Sequence, residues 1–116
     1  MRILSHVCCG PCFTAVFEKL AADRHEVEAF YYNPNIHPRA EYRRRLAYLK
    51  SFCDDEGIDL KVGDYDIHQY FQTVVNLEEK VERCQKCYRL RLKETAELAA
   101  VGGFDAFTTT LLLSPW

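Results

Sequence analysis

The sequence lacks several features that define common classes of protein. It has no glycine-rich loop that would cradle a nucleotide phosphate, and only five of its 116 residues are glycine, which argues against the use of ATP. No apolar run reaches the roughly 20 residues that a membrane-spanning helix needs. The apolar stretch at residues 1–7 is too short for a signal peptide, so we expect a cytoplasmic protein without a membrane partner.

The chain also lacks a strong excess of either charge. Fifteen lysine and arginine residues stand against 17 aspartate and glutamate residues, which leaves a net charge of −2 and no overall sign of nucleic-acid binding. Two local runs, residues 37–50 and 83–93, are nevertheless basic. They predict a basic face on a protein whose net charge is close to zero, although a solvated helix surface explains the first run equally well.

The composition is that of one ordinary globular domain. Hydrophobic residues make up 48% of the chain, and no linker, repeat or low-complexity segment divides it, so residues 1–116 are predicted to form a single domain. A chain with this much apolar material does not need disulfides to hold its core. In a reducing cytoplasm, the six cysteines therefore indicate metal binding or catalysis.

Short apolar segments alternate with helical patterns along the whole chain. Strands are predicted at residues 2–7, 27–32, 60–62 and 104–109. Long helices are predicted from Pro11, from Pro38 to Gly57, and from Cys84 or Cys87 to Ala100, with a shorter helix at residues 65–75. This alternation predicts a three-layer α/β domain with a parallel, Rossmann-like (HUP-like) sheet of at least four strands. Ligands of such sheets bind at the carboxyl ends of the strands.

Five of the six cysteines fall in two clusters, which are Cys8, Cys9 and Cys12, and Cys84 and Cys87. The first cluster follows the first strand at the ligand-binding edge, and the second is predicted at or just before the start of the last long helix. Helix N-termini favour anionic thiolates, so we expect the two clusters to meet at this edge in one metal-thiolate site. Cys53 falls on the apolar stripe of the second helix and is assigned to the core.

Three chemistries fit these thiols. A closed zinc site would use the pairs Cys9/Cys12 and Cys84/Cys87, but it would leave Cys8 without a role. Cysteine thiolates also hold iron–sulfur clusters, which we favour among the three. A metal-free alternative is a thiol–disulfide pair formed by Cys9 and Cys12 at a helix start.

Four segments follow one another in a specific order. They are HVCCGPC at residues 6–12, YNPNIHP at 32–38, ERCQKCYRLRL at 82–92 and FTTTLLLSP at 107–115. Together they resemble the cobalamin-independent epoxyqueuosine reductases of bacterial tRNA modification, over nearly the whole chain. The resemblance implies reduction of the epoxide of epoxyqueuosine to the alkene of queuosine at the wobble position of tRNA. It also implies a 4Fe-4S cluster, an additional mononuclear iron and an external electron donor.

The resemblance assigns roles residue by residue. It makes metal ligands of Cys8, Cys9, Cys12, Cys84 and Cys87, without deciding which thiols hold the cluster and which the second iron. From their local chemistry, the candidates to bind the anticodon stem-loop of the tRNA are Asn33, His37, Arg43, Arg89 and Arg91, with Arg39 and Arg44 as further candidates for its phosphates. Turn chemistry explains Asn33 equally well. The candidates for the proton donor are His6, His37 and Tyr88, each of which a structural role explains better.

The basic run beside the second cysteine cluster carries a further expectation. Its members Arg83, Lys86, Arg89 and Arg91 are predicted to line an entrance that holds tRNA phosphates. In the competing interpretation, these cations only offset the negative charge of the thiolate cluster. The strand tyrosines, which could stack on a flipped base, are expected to lie in the core.

The end of the chain departs from the family pattern. The family continues for some tens of residues past Ser114 and Pro115, with a further cysteine-bearing tail, and Trp116 stands where a tyrosine is expected. We therefore expect a C-terminally truncated chain. Two alternatives from other functional classes are a zinc-stabilised RNA-binding module and a C-x-x-C thiol oxidoreductase.

Overall fold

One parallel sheet with helices on both faces organises the chain. The computed structural model describes residues 1–8, 10–34, 36, 38–63, 65 and 80–110, and for residues 80–84 it describes the backbone. Within those residues the elements are β1 (Arg2–His6), α1 (Gly10–Ala22), β2 (Glu26–Tyr31), α2 (Arg39–Glu56), β3 (Leu60–Val62), α3 (Lys80–Val101) and β4 (Ala106–Thr109). The strands lie in the order β3-β2-β1-β4, and every pairing is parallel. The predicted parallel α/β sheet is confirmed, and the strand bounds agree with the sequence prediction to within two residues.

The register of the sheet aligns the strand ends that carry the site. β1 pairs with β2 on one side and with β4 on the other, so His6 is level with Phe30 and with Thr109. The residues that follow these three strands therefore meet at one edge, which we call the carboxyl edge. The first cysteine cluster follows β1 and so lies at this edge.

Alternation along β2 separates two apolar cores and creates the three layers. Ala29 and Tyr31 pack on one face of the sheet against α1 and α2, together with Phe13 and Leu49. Phe30 and Tyr32 point to the opposite face, where they pack with residues of α3 such as Ala99. Successive strand residues point to opposite faces, which is why a continuous apolar run can serve both cores. Each large side chain buried in this way contributes about 1.5–3 kcal/mol.

The helices end where glycine follows them. α2 starts directly after Pro38 and stops at Gly57, which adopts the left-handed conformation at φ 69° and donates its N–H to Cys53 O. α3 is followed by Gly102 and by Gly103, whose φ is 73°. Glycine adopts this conformation without the strain that a Cβ atom would add. The predicted stop of α2 at Gly57 is confirmed, and α3 ends at Val101, one residue after the predicted Ala100. None of the helices in the described part of the chain is both long and apolar enough to cross a membrane.

The start of α3 corrects the sequence prediction. The helix begins at Lys80 rather than at Cys84 or Cys87. Residues 80–83 are Lys, Val, Glu and Arg, which contain no helix breaker and three strong helix formers, so the helix extends through them. Cys87 is therefore two turns inside the helix, beyond the reach of the N-terminal dipole that the sequence analysis invoked. The short helix predicted at residues 65–75 lies outside the described residues, apart from Tyr65.

Candidate metal centre

The first cysteine cluster occupies the turn between β1 and α1. Cys8 is half-buried after the end of β1, and Cys12, also half-buried, lies in the first turn of α1 as predicted. The N-terminal N–H groups of a helix favour a thiolate at such a position. Cys9, between them in sequence, lies outside the described residues.

Thr110, the residue that follows β4, contacts Cys8. The backbone N–H of Cys8 donates to Thr110 Oγ1 over 3.1 Å, and the sulfur of Cys8 lies 3.2 Å from the same oxygen. A thiolate carries no hydrogen, so in that state the threonine hydroxyl is the donor and the sulfur the acceptor. Hydrogen bonds to the charged form of a thiol favour that form, and Thr110 therefore suits an ionised Cys8.

The direction of α3 brings the second cluster to the same edge. Arg2, at the opposite end of β1, donates from Nη1 to Gly102 O over 2.9 Å and accepts from Asp105 N–H over 2.8 Å. The C-terminus of α3 is thus fixed at the amino edge of the sheet, and its N-terminal half points to the carboxyl edge. Cys87 lies in that half and is buried.

The described thiols do not by themselves form a ligand set. No three His, Cys, Asp or Glu side chains come together as a metal site among the residues that the structure describes. Two of the five predicted ligands, Cys9 and the side chain of Cys84, lie outside that part of the chain. The convergence of all five thiols stays a prediction.

Cys53 belongs to the apolar core, as predicted. It is 1% exposed and packs beneath α2 in the cluster that includes Tyr31 and Leu49. Burial, helped by the nearby Asp54 carboxylate, raises the pKa of the Cys53 thiol to about 11. A neutral, enclosed thiol of this kind is chemically inert.

A buried positive charge lies one helical turn from Cys87. Arg91 is 3% exposed, and its Nη1 donates to Asn33 Oδ1 over 3.3 Å. Its guanidinium carbon lies 5.1 Å from the centre of the Tyr88 ring, and its Nε has no hydrogen-bond partner among the described residues. No ion pair to an acidic side chain is found for Arg91 within the described residues. A buried charge without a counter-charge is costly, so this position suits an anionic group nearby.

Asn33 links the end of β2 to both β1 and α3. It is almost completely buried, its Nδ2 donates to Val7 O over 2.8 Å, and its Oδ1 accepts from Arg91. Both ends of the amide are therefore engaged within the protein. The arrangement positions Arg91, and the predicted contact of Asn33 with substrate stays a prediction.

His6 is buried in a neutral form. Its Nε2 lies 2.9 Å from the carbonyl oxygen of Tyr32, which can only accept, so Nε2 carries the hydrogen. Its Nδ1 then accepts from Thr109 Oγ1 over 3.0 Å. Desolvation by burial is the main cause that lowers the pKa of His6 to about 4. With both nitrogens bonded, His6 is a structural link between strands, which leaves Tyr88 and His37 as proton-donor candidates, the latter outside the described residues.

The sequence-predicted basic residues lie in different surroundings. Arg43 on α2 and Lys86 on α3 are exposed, and Arg89 is exposed in a shallow cleft with Tyr88 and Lys93. Arg91 points inward instead, so any contact it makes with substrate lies inside the site and not on an outer surface. The side chain of Arg83 lies outside the described residues.

Comparison with known proteins assigns the family. A sequence model described as "Epoxyqueuosine reductase QueH" matches residues 3–116, almost the entire chain.

The chain belongs to the QueH family.

QueH relatives from several bacteria match the chain over nearly its full length. The Epoxyqueuosine reductase QueH of Helicobacter pylori is 40% identical over 97% of this chain and 32% of its own length. The QueH protein of Haemophilus influenzae is 36% identical, and the match covers 99% of this chain and 48% of the relative's own length. The QueH protein of Thermotoga maritima is 33% identical, and the match covers 97% of this chain and 60% of the relative's own length. The chain therefore spans between about a third and three-fifths of the length of these QueH relatives.

Two features of this QueH-family site were missed by the sequence analysis. Thr110 falls within one of the family segments but was given no role, because its contact with Cys8 follows from the register between β1 and β4. The inward position of Arg91 had a visible signal. Cys87, Arg91, Thr95 and Ala99 recur every four residues, and all four are buried. Arg91 and Thr95 are polar, so the stripe does not show the apolar periodicity that is typical of a buried helix face.

Proposed function

We propose that this chain carries the metal centre of an epoxyqueuosine reductase that acts on tRNA. The proposal is carried by the placement of Cys8 and Cys12 in the turn at the carboxyl edge, with Cys87 in the half of α3 that points toward that edge. Arg91, one turn further along α3, is buried and has no acidic partner among the described residues. The names of the QueH relatives support the reaction.

The donor set fits an iron–sulfur centre. Thiolates are soft ligands that suit iron–sulfur clusters, and the proposed ligands are Cys8, Cys9, Cys12, Cys84 and Cys87. A cluster held by several thiolates is anionic, and the buried guanidinium group of Arg91, whose Nε has no partner within the described part of the chain, fits such a neighbour. When bound, a 4Fe-4S cluster and a mononuclear iron supply low-potential electrons and Lewis acidity toward an epoxide oxygen.

The reaction requires two electrons and two protons for each epoxide. The two C–O bonds break, the alkene forms, and the oxygen leaves as water, while an external donor supplies the electrons. When Cys8 is a thiolate, Thr110 donates a hydrogen bond to its sulfur, and Arg91 offsets the charge of the thiolates. Asn33 orients Arg91, and Tyr88 under the guanidinium group is the described candidate for proton delivery.

The proposed tRNA partner is bound by exposed cations around the site. Arg43, Lys86 and Arg89 are exposed on α2 and α3, where they are free to contact phosphates. Phosphate contacts contribute affinity without sequence preference, whereas the recognised base must be unstacked. An anticodon loop presents unstacked bases, which fits a modified base at the wobble position.

The decisive experiment loads the chain anaerobically with iron and sulfide and incubates it with a reductant and tRNA that contains epoxyqueuosine. Nucleoside mass spectrometry then measures queuosine. We expect a brown protein that forms queuosine, and a Cys87→Ser variant that loses iron and turnover but keeps its affinity for tRNA. Cys53→Ser is the matched control, because it removes a core thiol and should retain iron.

Three results would contradict the proposal. A colourless chain that retains zinc and binds RNA would indicate a zinc-stabilised RNA-binding module. A metal-free chain that cycles a Cys9–Cys12 disulfide would indicate a thiol oxidoreductase. An iron-loaded chain that leaves epoxyqueuosine unchanged would exclude this activity for the residues present.

A further inference from the structure

A cleft opens between the start of α1 and the middle of α2, beside the first cysteine cluster. Its volume is about 460 Å³, and its walls are formed by Gly10, Pro11, Glu41, Arg44, Arg45 and Tyr48. The four residues from α2 are spaced i, i+3, i+4 and i+7, so they share one face of that helix. The buried face of α2 is a different one, formed by Tyr42, Leu49 and Cys53. The cleft is therefore a polar and aromatic stripe directed at the cysteine turn.

Tyr48 provides an exposed aromatic surface in this cleft. Its side chain is 53% exposed, although it is a large apolar group. The ring packs against Gly10, where a Cβ atom would overlap the ring carbons, so the absence of a side chain at Gly10 makes room for it. The ring is thus held next to the cysteine turn while about half of it stays accessible.

The two arginines are held in place by one carboxylate. Arg44 donates from Nε and Nη2 to the two oxygens of Glu41 over 2.9 and 2.7 Å, and Arg45 donates from Nε to Glu41 over 2.8 Å. The bonds from Arg44 and then from Arg45 lower the pKa of Glu41 to about 2, so Glu41 is ionised at neutral pH. Two cations against one anion leave a net charge of +1, and most of the five N–H donors of each guanidinium group are not used.

We propose that this cleft binds a nucleotide that neighbours the reacting base in a single-stranded RNA loop. The base stacks on Tyr48, and its phosphate accepts hydrogen bonds from Arg44 and Arg45. Aromatic stacking combined with guanidinium contacts to phosphate is the chemistry by which proteins hold unpaired RNA. The inference rests on the proposed function, because the cleft places such a nucleotide beside the metal centre.

The test measures binding of the iron-loaded chain to a fluorescein-labelled anticodon stem-loop by fluorescence anisotropy. Loss of one stacked base should weaken binding of Tyr48→Ala by about 5- to 150-fold, whereas Tyr48→Phe keeps the ring and should bind as the unmodified chain does. The matched control is Phe107→Ala, which removes a partly exposed aromatic side chain from β4 and should leave affinity unchanged.

Salt dependence separates the two parts of the cleft. A plot of the logarithm of the association constant against the logarithm of the salt concentration has a negative slope. Arg44→Ala should make this slope shallower by about 0.7–0.9, because one phosphate contact is lost. Tyr48→Ala should leave that slope unchanged, because stacking releases no counterions. A Tyr48→Trp variant in a Trp116→Phe background gives a direct signal, since stacking of a base on the indole should quench its fluorescence.

The outcomes distinguish the cleft from the proposed function. Unchanged RNA affinity in Tyr48→Ala, with the unmodified chain still forming queuosine, would overturn the cleft and leave the function standing. Loss of queuosine formation in the unmodified chain, with Tyr48 variants still weakening RNA binding, would overturn the function alone. Equal competition by a free mononucleotide and by the stem-loop would show that the cleft is a nucleotide site and not an RNA site, which also overturns the inference.

Discussion

The hydroxyl oxygen of Thr110 lies 3.2 Å from the sulfur of Cys8 and 3.1 Å from the backbone nitrogen of the same residue. One side chain from the last described strand region therefore holds both the main chain and the thiol of a predicted metal ligand. Thr110 itself is fully buried, whereas Cys8 is half-buried.

The first prediction concerns this contact. Thr110→Val should destabilise the metal-free chain by about 0.5–1.5 kcal/mol, because the partly buried N–H of Cys8 loses its acceptor. It should also slow alkylation of Cys8 at neutral pH, because the thiolate loses a hydrogen-bond donor. Urea unfolding and peptide-resolved mass spectrometry of alkylated protein measure the two effects. Thr110→Ser keeps the hydroxyl and should retain most of the stability and most of the alkylation rate. Equal stability and equal alkylation rates in the Val and Ser variants would show that the hydroxyl neither stabilises the chain nor activates the thiol.

The second prediction concerns the buried cation. Arg91→Met should change the free energy of unfolding of the metal-free chain by no more than about 1 kcal/mol. The lost bond to Asn33 is offset by removal of a buried charge that has no acidic partner among the residues the structure describes. The same variant should bind less iron per chain, because the thiolates lose their counter-charge. Iron analysis and urea unfolding give the two values.

The matched control for the cation is Arg89→Met, which removes an exposed charge from the same helix and should retain both stability and iron. If Arg91→Met unfolds readily but binds iron as the unmodified chain does, Arg91 is a structural residue and not a counter-charge.

The third prediction concerns pH and Cys53. The ordinary pKa of its thiol is 9.0 and the folded protein raises it to about 11, so the unfolded chain loses this proton first as the pH rises. The stabilising effect is complete below pH 9 and should decline by about 2 kcal/mol between pH 9 and pH 11. Cys53→Ala should lack this decline, although other groups titrate in the same range. The contribution of Cys53 is the difference between the free energies of unfolding in urea of Cys53→Ala and of the unmodified metal-free chain, measured at each pH. As a control, Cys12→Ala should show the same decline as the unmodified chain.

The fourth prediction concerns the exposed face of α3. Arg89→Glu should weaken binding of an anticodon stem-loop irrespective of its loop sequence and reduce the salt slope by about 1, because a phosphate contact is lost. Lys19→Glu makes the same charge change in the last turn of α1, at the other end of the sheet, and should have little effect. Unaltered RNA affinity in Arg89→Glu together with reduced iron loading would favour the interpretation that this charge serves the thiolates.

The sequence predicted the architecture because its determinants are local. Alternation of short apolar strands with helical stripes, and glycines such as Gly57 and Gly103 at helix ends, indicated the parallel sheet and its three layers. The core position of Cys53 followed from its phase relative to Tyr42 and Leu49 on α2. Each of these signals is contained within one element and does not depend on how the elements pack.

The site was only partly predictable because its contacts join distant elements. The pairing of Cys8 with Thr110 depends on the register of two strands, which no local pattern specifies. Arg91 was grouped with Arg89 because both are basic, but they differ by two positions on a helix and therefore point in different directions. No sequence pattern indicated a role for Tyr48, because the position of its ring depends on the space left by Gly10.

The central position of β1 has a consequence for how the chain matures. Cys8 is synthesised before its partner Thr110, which follows 102 positions later in the chain. At about 5–20 residues per second, translation leaves an interval of roughly 5–20 s in which the nascent thiol has no threonine beside it. β1 also cannot gain its second neighbour until β4 has emerged. We therefore expect iron delivery to follow synthesis of the whole segment, and a premature stop before residue 110 to yield a chain whose early cysteines stay open to oxidation.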